Sequence, residues 1–368
     1  MKRRILILIL ILVLFINGNT NATGLNLSAE SYILIEENSG RIIYENKAHK
    51  KLPMASTTKI MTGLLAIEYG NLDDIVVIGE ESIDIEGSSI YLKEGERIKL
   101  IDLIYGLILR SGNDSAVAIA NHVGNTEENF ISIMNDKAKI IGALNTNFVN
   151  THGLYDANHY TTAYDLAIIT REALKYKEFE EIFSAKSYKC DRVTDNYFVN
   201  KNKALWDYEG ADGGKTGYTM ASGRCLVSSA TRDNMRLIAV SLNAPDWFND
   251  NYKLMEYGFE NLKLYNIYEK GQLITLANVR DGTREKVALV SGKDLIYPLR
   301  DDEIKDIKMS VHLDKKIKAP ILENDVLGYI EVFLNGSLIR RDNLIAKYEV
   351  ETVSFLNRIL QTILNKVE

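Results

Sequence analysis

The sequence predicts an α/β (α+β) domain in which helices cover a sheet, followed by a small all-β domain. Three observations carry this expectation. Residues 32–36 and 41–45 flank an Asn38-Ser39-Gly40 turn, the pattern of a β-hairpin. Residues 223–230 and 236–242 form a second antiparallel pair around Arg232-Asp233-Asn234. Between these two ends lie apolar segments at helical spacing, so strands from both ends are expected to meet in one sheet with helices packed on it.

The elements follow in order. Lys2, Arg3 and Arg4 precede an apolar run over 5–16 that is too short for a comfortable membrane span, and Thr20 and Ala22 are small residues of the kind a signal peptidase reads. The expectation is a signal peptide over 1–22, cleavage after Ala22 and export; an uncleaved N-terminal anchor is the alternative. The first domain then spans 25–262. Pro53 precedes a helix expected over 56–69, whose Ile60, Met61, Leu64, Leu65 and Ile67 suit burial around most of its circumference, with Gly70 ending it. Residues 100–109 and 115–123 are apolar enough to be packed helices, joined by a turn at Ser111-Gly112-Asn113-Asp114. Residues 148–160, with Gly153, form a loop, and 162–175 a further helix. Residues 213–219 lead into the late strand pair. From 265 to 349 short β-rich runs at 286–290, 307–313 and 326–334 are set apart by Asp281-Gly282, Ser291-Gly292 and Asn335-Gly336, which predicts the separate β domain. In 352–368, Val353, Leu356, Leu360, Ile363, Leu364 and Val367 recur at helical spacing, giving an amphipathic helix that either lies on a membrane surface or packs on its own protein.

Composition narrows the function classes. The chain has 368 residues, 46% hydrophobic and 26% charged, ordinary for a protein with a full core. Losing the three N-terminal cations moves the formal charge from −6 to −9, which argues against nucleic acid as a partner. Cys190 and Cys225 have no zinc-ligand spacing with the histidines, so no metal or other cofactor is expected, and a buried free thiol is the preferred reading of Cys225.

Three short motifs carry chemistry: Ser56-Thr57-Thr58-Lys59, Ser111-Gly112-Asn113 and Lys215-Thr216-Gly217. Serine is a weak nucleophile until a base removes its proton. Ser56 and Lys59 lie three apart on one helix face, and Lys59 acts as a base only if burial or a second cation lowers its pKa, a role that falls to Lys215. Ser111 is placed to relay a proton, and Asn113 to bond a substrate amide or orient Lys59. An edge strand carrying Lys215 and Thr216 can hold an extended peptide and its terminal carboxylate, while Gly217 lets the substrate backbone approach. The amides of Ser56 and Tyr218 would form an oxyanion hole. Each motif alone is ordinary, a helix cap, a turn and a strand start; the order and context of all three make the pattern. His152, Asp156 and His159 lack a Gly-x-Ser-x-Gly partner and read as a structural loop wall. Glu80, Glu81, Asp84 and Glu86 read as a solvated acidic face.

With these motifs the chain resembles the serine-type D-alanyl-D-alanine carboxypeptidases, low-molecular-mass penicillin-binding proteins of the penicillin-binding/β-lactamase-like fold. The stretches Phe148-Val149-Asn150-Thr151-His152-Gly153-Leu154 and His159-Tyr160-Thr161-Thr162-Ala163-Tyr164-Asp165 look like that family's block between its second and third motifs. The resemblance implies a transpeptidase-like domain with a five-stranded antiparallel sheet. It implies removal of the last D-alanine of peptidoglycan pentapeptide stems through an acyl-serine, with Ser56 as nucleophile, Lys59 as base, and Ser111, Asn113, Lys215, Thr216 and Gly217 as the second and third elements. β-Lactams are then expected to acylate Ser56. The family's terminal helix docks on the outer face of the cytoplasmic membrane, so an exported, peripherally attached enzyme of cell-wall biogenesis is expected. Two departures stand out: Tyr218 follows Lys-Thr-Gly where some members carry histidine, and residues 243–250 contain no arginine where such enzymes commonly have one near the substrate carboxylate. A class A β-lactamase would need a Glu-x-x-Leu-Asn string between the second and third motifs, and none occurs there. A DD-endopeptidase and a non-catalytic penicillin sensor are the alternatives.

Overall fold

The computed structural model describes residues 24–354; the expected signal peptide and residues 355–368 of the expected terminal helix lie outside them. The first half of the chain runs β1 (Ser31–Glu36), β2 (Ile42–Asn46), α1 (Lys59–Tyr69), β3 (Ile75–Val77), β4 (Arg97–Lys99), α2 (Leu100–Tyr105), α3 (Asn113–Gly124), α4 (Glu127–Ile140), α5 (Ala163–Ala173), α6 (Lys177–Ser184), β5 (Ser187–Lys189), β6 (Tyr197–Val199) and α7 (Ala204–Asp207). Then come β7 (Ala211–Thr219), β8 (Gly223–Arg232), β9 (Met235–Leu242) and α8 (Trp247–Asn261).

Strands from the two ends of this region do meet. They form a five-stranded antiparallel sheet in the order β2-β1-β9-β8-β7, with Ile33 opposite Val240 and Lys215 opposite Val227. One face carries α1 and the other helices of the middle region; the other carries α8, whose Leu254 and Met255 pack with Leu34, Leu237 and Ala239. Because β7 is an edge, one side of the strand that bears Lys215, Thr216 and Gly217 is unpaired.

α1 is the axis of the domain. Ile60, Met61, Leu64 and Leu65 are fully buried, and so is Lys59. The sequence predicts a helix from Ser56; the structure instead inserts one 3-10 turn, Ala55–Thr58, before α1. Ala55 takes a left-handed φ of 47°, and this kink sets Ser56 in the turn ahead of the helix that carries Lys59. The expected helix over 100–109 likewise splits: α2 ends at Tyr105 and a π-helical turn, Gly106–Arg110, delivers Ser111 at φ 63°. The expected turn at 111–114 is shorter than predicted, because Asn113 and Asp114 already belong to α3.

The remainder is β. A five-stranded sheet, β11 (Leu273–Asn278), β12 (Lys286–Ser291), β16 (Ser337–Ala346), β15 (Val326–Leu334) and β14 (Ile307–Leu313), encloses its own core with the pair β10 (Lys263–Tyr268) and β13 (Leu295–Leu299). Arg41, just before β2, bonds both carboxylate oxygens of Glu303 at 2.7 and 2.9 Å as well as the Pro298 carbonyl, and so ties this part to the first. Both cysteines are free and buried.

Candidate active site

The three motifs converge around Lys59. Its Nζ lies 3.1 Å from Ser56 Oγ and donates to Asn113 Oδ1 and to the His152 carbonyl, each at 2.6 Å. The last two partners only accept. They therefore hold two amine hydrogens and leave the third position of the nitrogen facing the Ser56 hydroxyl. A neutral amine so held has its lone pair aimed at the proton a nucleophilic serine must lose. Burial, then the neighbouring Lys215 and more distant Lys201 cations, push the Lys59 pKa well below its ordinary value, with Asp114 partly opposing.

Lys215 projects from β7 to the other side of the site. It donates to Ser111 Oγ at 3.0 Å and to the Thr216 carbonyl at 2.9 Å. Burial and Lys201 draw its pKa down to about 7. Gly217 presses against the 3-10 turn: a Cβ there would meet the Ser56 nitrogen at 2.9 Å, which is why only glycine suits the position. This contact brings the Ser56 and Tyr218 main chains together at the sheet edge. The Tyr218 side chain itself stands out, 62% exposed.

Asn113 is oriented by its surroundings. Its backbone nitrogen donates to the Ser88 carbonyl at 2.7 Å and its Nδ2 to the Glu86 carbonyl. Asp114, also buried, receives Ser89 Oγ and the amides of Ile90 and Leu92. Part of the stretch read as a solvated acidic face is thus the wall that holds Asn113, although the Glu86 side chain is exposed.

The loop over 148–160 forms the opposite wall. His152 contributes its carbonyl to Lys59, while its ring Nδ1 accepts from the Leu154 amide at 3.2 Å. His159 reaches Thr58 Oγ1 at 2.8 Å and accepts from the Val149 amide, so it meets the serine's helix without touching Ser56. Burial, followed by Lys59, takes the His152 pKa down to about 3. Neither ring is placed as a base.

Sequence reasoning missed Lys201, whose Nζ donates to Ser88 Oγ at 3.1 Å beside Lys215. No motif marks it; its backbone nitrogen bonds the Leu109 carbonyl, a contact between segments far apart in sequence. It also missed Arg224. Paired opposite Tyr218, its side chain bonds the Pro245 carbonyl at 2.7 Å and lies over the Trp247 ring. Tyr218, Arg224, Asn243 and Trp247 line a groove of about 630 Å³ at the end of this strand pair. Among the described residues no cluster of metal-ligating side chains occurs.

A family profile described as D-alanyl-D-alanine carboxypeptidase matches residues 18–246. The chain belongs to the D-alanyl-D-alanine carboxypeptidase family. A second profile, the penicillin-binding protein 5 C-terminal domain, matches residues 262–352. The chain is 32% identical to the D-alanyl-D-alanine carboxypeptidase DacF of Bacillus subtilis, over 91% of this chain and 89% of that protein. It is 32% identical to DacC of Escherichia coli, over 93% and 89%. The crystal structure of penicillin-binding protein 5 from Haemophilus influenzae superposes with a TM-score of 0.76 at 31% identity, covering 88% of this chain and 98% of that one. The fold is therefore the penicillin-binding, transpeptidase-like α/β fold with a C-terminal β domain. As a member of this carboxypeptidase family the protein is a serine-type hydrolase of the penicillin-binding group.

Proposed function

We propose that this carboxypeptidase removes the terminal D-alanine of peptidoglycan pentapeptide stems, with Ser56 as nucleophile and Lys59 as its base. The observation that carries the assignment is the Lys59 amine, pinned by two carbonyl oxygens with its remaining position toward Ser56 Oγ. Ser56 Oγ attacks the carbonyl carbon of the penultimate D-alanine and its proton passes to Lys59 Nζ. The carbonyl oxygen becomes an oxyanion within reach of the Ser56 and Tyr218 amides. Collapse of the tetrahedral species breaks the C–N bond. The departing amine of D-alanine takes up, through Ser111, the proton that Lys59 had accepted, so that Lys59 is a neutral amine again; Lys215 holds Ser111 at 3.0 Å. Water then attacks the acyl-serine and gives a proton to Lys59, which passes it to Ser56 Oγ as the acyl C–O bond breaks and the shortened stem leaves.

Recognition falls to the edge strand. The substrate's extended backbone pairs along β7, Lys215 and Thr216 meet its terminal carboxylate, Gly217 gives the backbone room, and Asn113 bonds a substrate amide. A β-lactam follows the same first step, but its leaving nitrogen stays tethered after the ring opens, so the acyl-enzyme persists. We further propose that the 1–22 segment directs export and that the amphipathic segment at 352–368 holds the enzyme peripherally on the outer face of the cytoplasmic membrane. The supporting features are the leader pattern and the apolar spacing in the sequence.

Intact-protein mass spectrometry after exposure to benzylpenicillin tests the site. The mature chain is expected to gain one stable adduct and its Ser56→Ala variant none. An adduct on the variant, or no adduct on either, removes Ser56 from the role.

A further inference from the structure

The hairpin between β5 and β6 does something that the motif chemistry does not account for. Its tip residue Arg192 folds back about a hundred positions in sequence onto residues 90–96. Its Nε donates to Glu96 Oε1 at 2.6 Å and one Nη to Glu96 Oε2 at 3.1 Å. The remaining bonds go to the carbonyls of Ile90 at 2.8 Å, Tyr91 at 3.1 Å and Asp195 at 3.3 Å. A guanidinium has five N–H groups, and here five acceptors meet them. The Arg192 side chain is only 3% exposed, although Val193 beside it is 98% exposed. An arginine this well matched in a hairpin tip is fixing whatever it grips.

What it grips leads to the catalytic lysine. Tyr91 sits at a left-handed φ of 62°, a conformation that strains a residue with a side chain. Arg192 bonds the carbonyls on both sides of that strained residue. The same segment is held from its other side by Asp114, which receives the Ile90 and Leu92 amides. Just upstream, the carbonyls of Ser88 and Glu86 receive the backbone and side-chain nitrogens of Asn113. Asn113 Oδ1 in turn fixes one hydrogen of the Lys59 amine. The path from Arg192 to Lys59 therefore runs through hydrogen bonds and one short piece of backbone.

We propose that Arg192 is a positioning residue for acyl transfer: it clamps residues 86–92 in the conformation that orients Asn113, and through Asn113 the Lys59 amine. The inference rests on the assignment of Ser56 and Lys59 above. With the clamp released, Tyr91 relaxes out of its left-handed conformation, the Ser88 and Glu86 carbonyls shift, and Asn113 Oδ1 no longer holds Lys59 with its lone pair toward Ser56.

The test is the second-order rate constant of benzylpenicillin acylation, measured on the mature chain well below its melting temperature. Wild type, Arg192→Ala, Asn113→Ala and the double variant are compared. Arg192→Ala is expected to acylate roughly tenfold more slowly, about 1.4 kcal/mol in the barrier. The double variant is expected to be no more than about twofold slower than Asn113→Ala alone, because residues that act through one another are not additive. Wild-type speed in Arg192→Ala overturns the proposal. So do two losses that multiply, since a general loosening of the fold gives that result. Should Arg192→Ala fail to fold, Arg192→Lys carries the test. It keeps a cation beside Glu96 but cannot span a carboxylate and two carbonyls, so wild-type speed in it overturns the proposal equally. A wild-type chain that is not acylated at all refutes instead the assignment of Ser56, and so separates the two failures.

Discussion

His159 should make the enzyme sensitive to mild acid, and the size of the effect follows from its bonding. The ring is buried. Its Nδ1 accepts from the Val149 amide at 3.1 Å, and Thr58 Oγ1, which donates its own hydrogen to the Ala55 carbonyl, lies 2.8 Å from Nε2. Both nitrogens are thus assigned: Nε2 carries the hydrogen and Nδ1 is bare. A proton on Nδ1 would face another N–H. Burial lowers the pKa from 6.5 to about 4, with Asp156 opposing and Lys59 assisting. The sign is fixed by proton counts. Between pH 6.5 and about 4 the unfolded chain holds a proton that the folded chain does not, so stability falls as the pH falls through that window and is unaffected above it. At about 1.4 kcal/mol per pH unit, the full window is worth roughly 3 kcal/mol. The assay is thermal unfolding at pH 7.5 and pH 4.5 for the mature chain and for His159→Gln, which cannot titrate. With about 2–4 °C per kcal/mol for a domain of this size, the wild type should lose about 5–10 °C more than the variant on acidification. His152 titrates in the same sense but is present in both proteins. An equal loss in the two would refute the reasoning.

Three further outcomes are expected. Gly217→Ala puts a methyl 2.9 Å from the Ser56 nitrogen and 3.1 Å from the Met54 carbonyl; forcing the edge strand off the 3-10 turn should slow benzylpenicillin acylation by roughly a hundredfold, and a wild-type rate would show that the contact is dispensable. Lys215, with its pKa drawn down to about 7, carries its charge below that pH and loses it above, so KM for a soluble D-Ala-D-Ala peptide should rise from pH 6.5 to 8.5; a flat KM would remove Lys215 from carboxylate recognition. Arg41→Ala leaves the buried Glu303 carboxylate with Arg300 as its remaining cation, which should cost about 1–3 kcal/mol, read as a lower unfolding midpoint in urea, and an unchanged midpoint would mean that the tie is not stabilising.

The sequence showed most clearly what depends on local pattern. Periodicity found the two strand pairs and the buried helix α1, because alternation and helical spacing report which face is buried. It missed α4, α6 and α8. In α6 the apolar residues Phe179, Ile182 and Phe183 form a thin face among charges, and in α8 aromatic residues stand on the outer as well as the buried face, which blurs the helical period. Helix starts were misplaced where the chain kinks, at Ala55 and at Ser111, since left-handed residues other than glycine or asparagine leave no compositional trace. The motif residues were legible because three short motifs, each ordinary alone, follow one another in a set order with fixed internal spacings. Lys201, Arg192 and the carbonyls of His152 and Glu86 were not. They act through main-chain position or through contacts about a hundred residues apart, which no local pattern encodes.

The arrangement of Lys59, Lys215 and Lys201 explains why the site is built around a largely buried helix. Lowering the Lys215 pKa from 10.5 to about 7 means that between those values the unfolded chain binds a proton the folded chain has released, so stability drops as the pH falls from 10.5 to 7. At neutral pH that costs the fold on the order of 5 kcal/mol, and Lys59 adds to it in the same direction. Ile60, Met61, Leu64 and Leu65, fully buried on the same helix, each contribute about 1.5–3 kcal/mol on burial and so work against that cost. A site with the same residues on a peripheral helix would relieve the strain by admitting water around the amines. Both lysines would then return to their ordinary protonated state, and the base proposed for Ser56 would be lost. The apolar packing of α1 thus does more than stabilise the fold: it keeps water from the one amine that the proposed mechanism needs neutral.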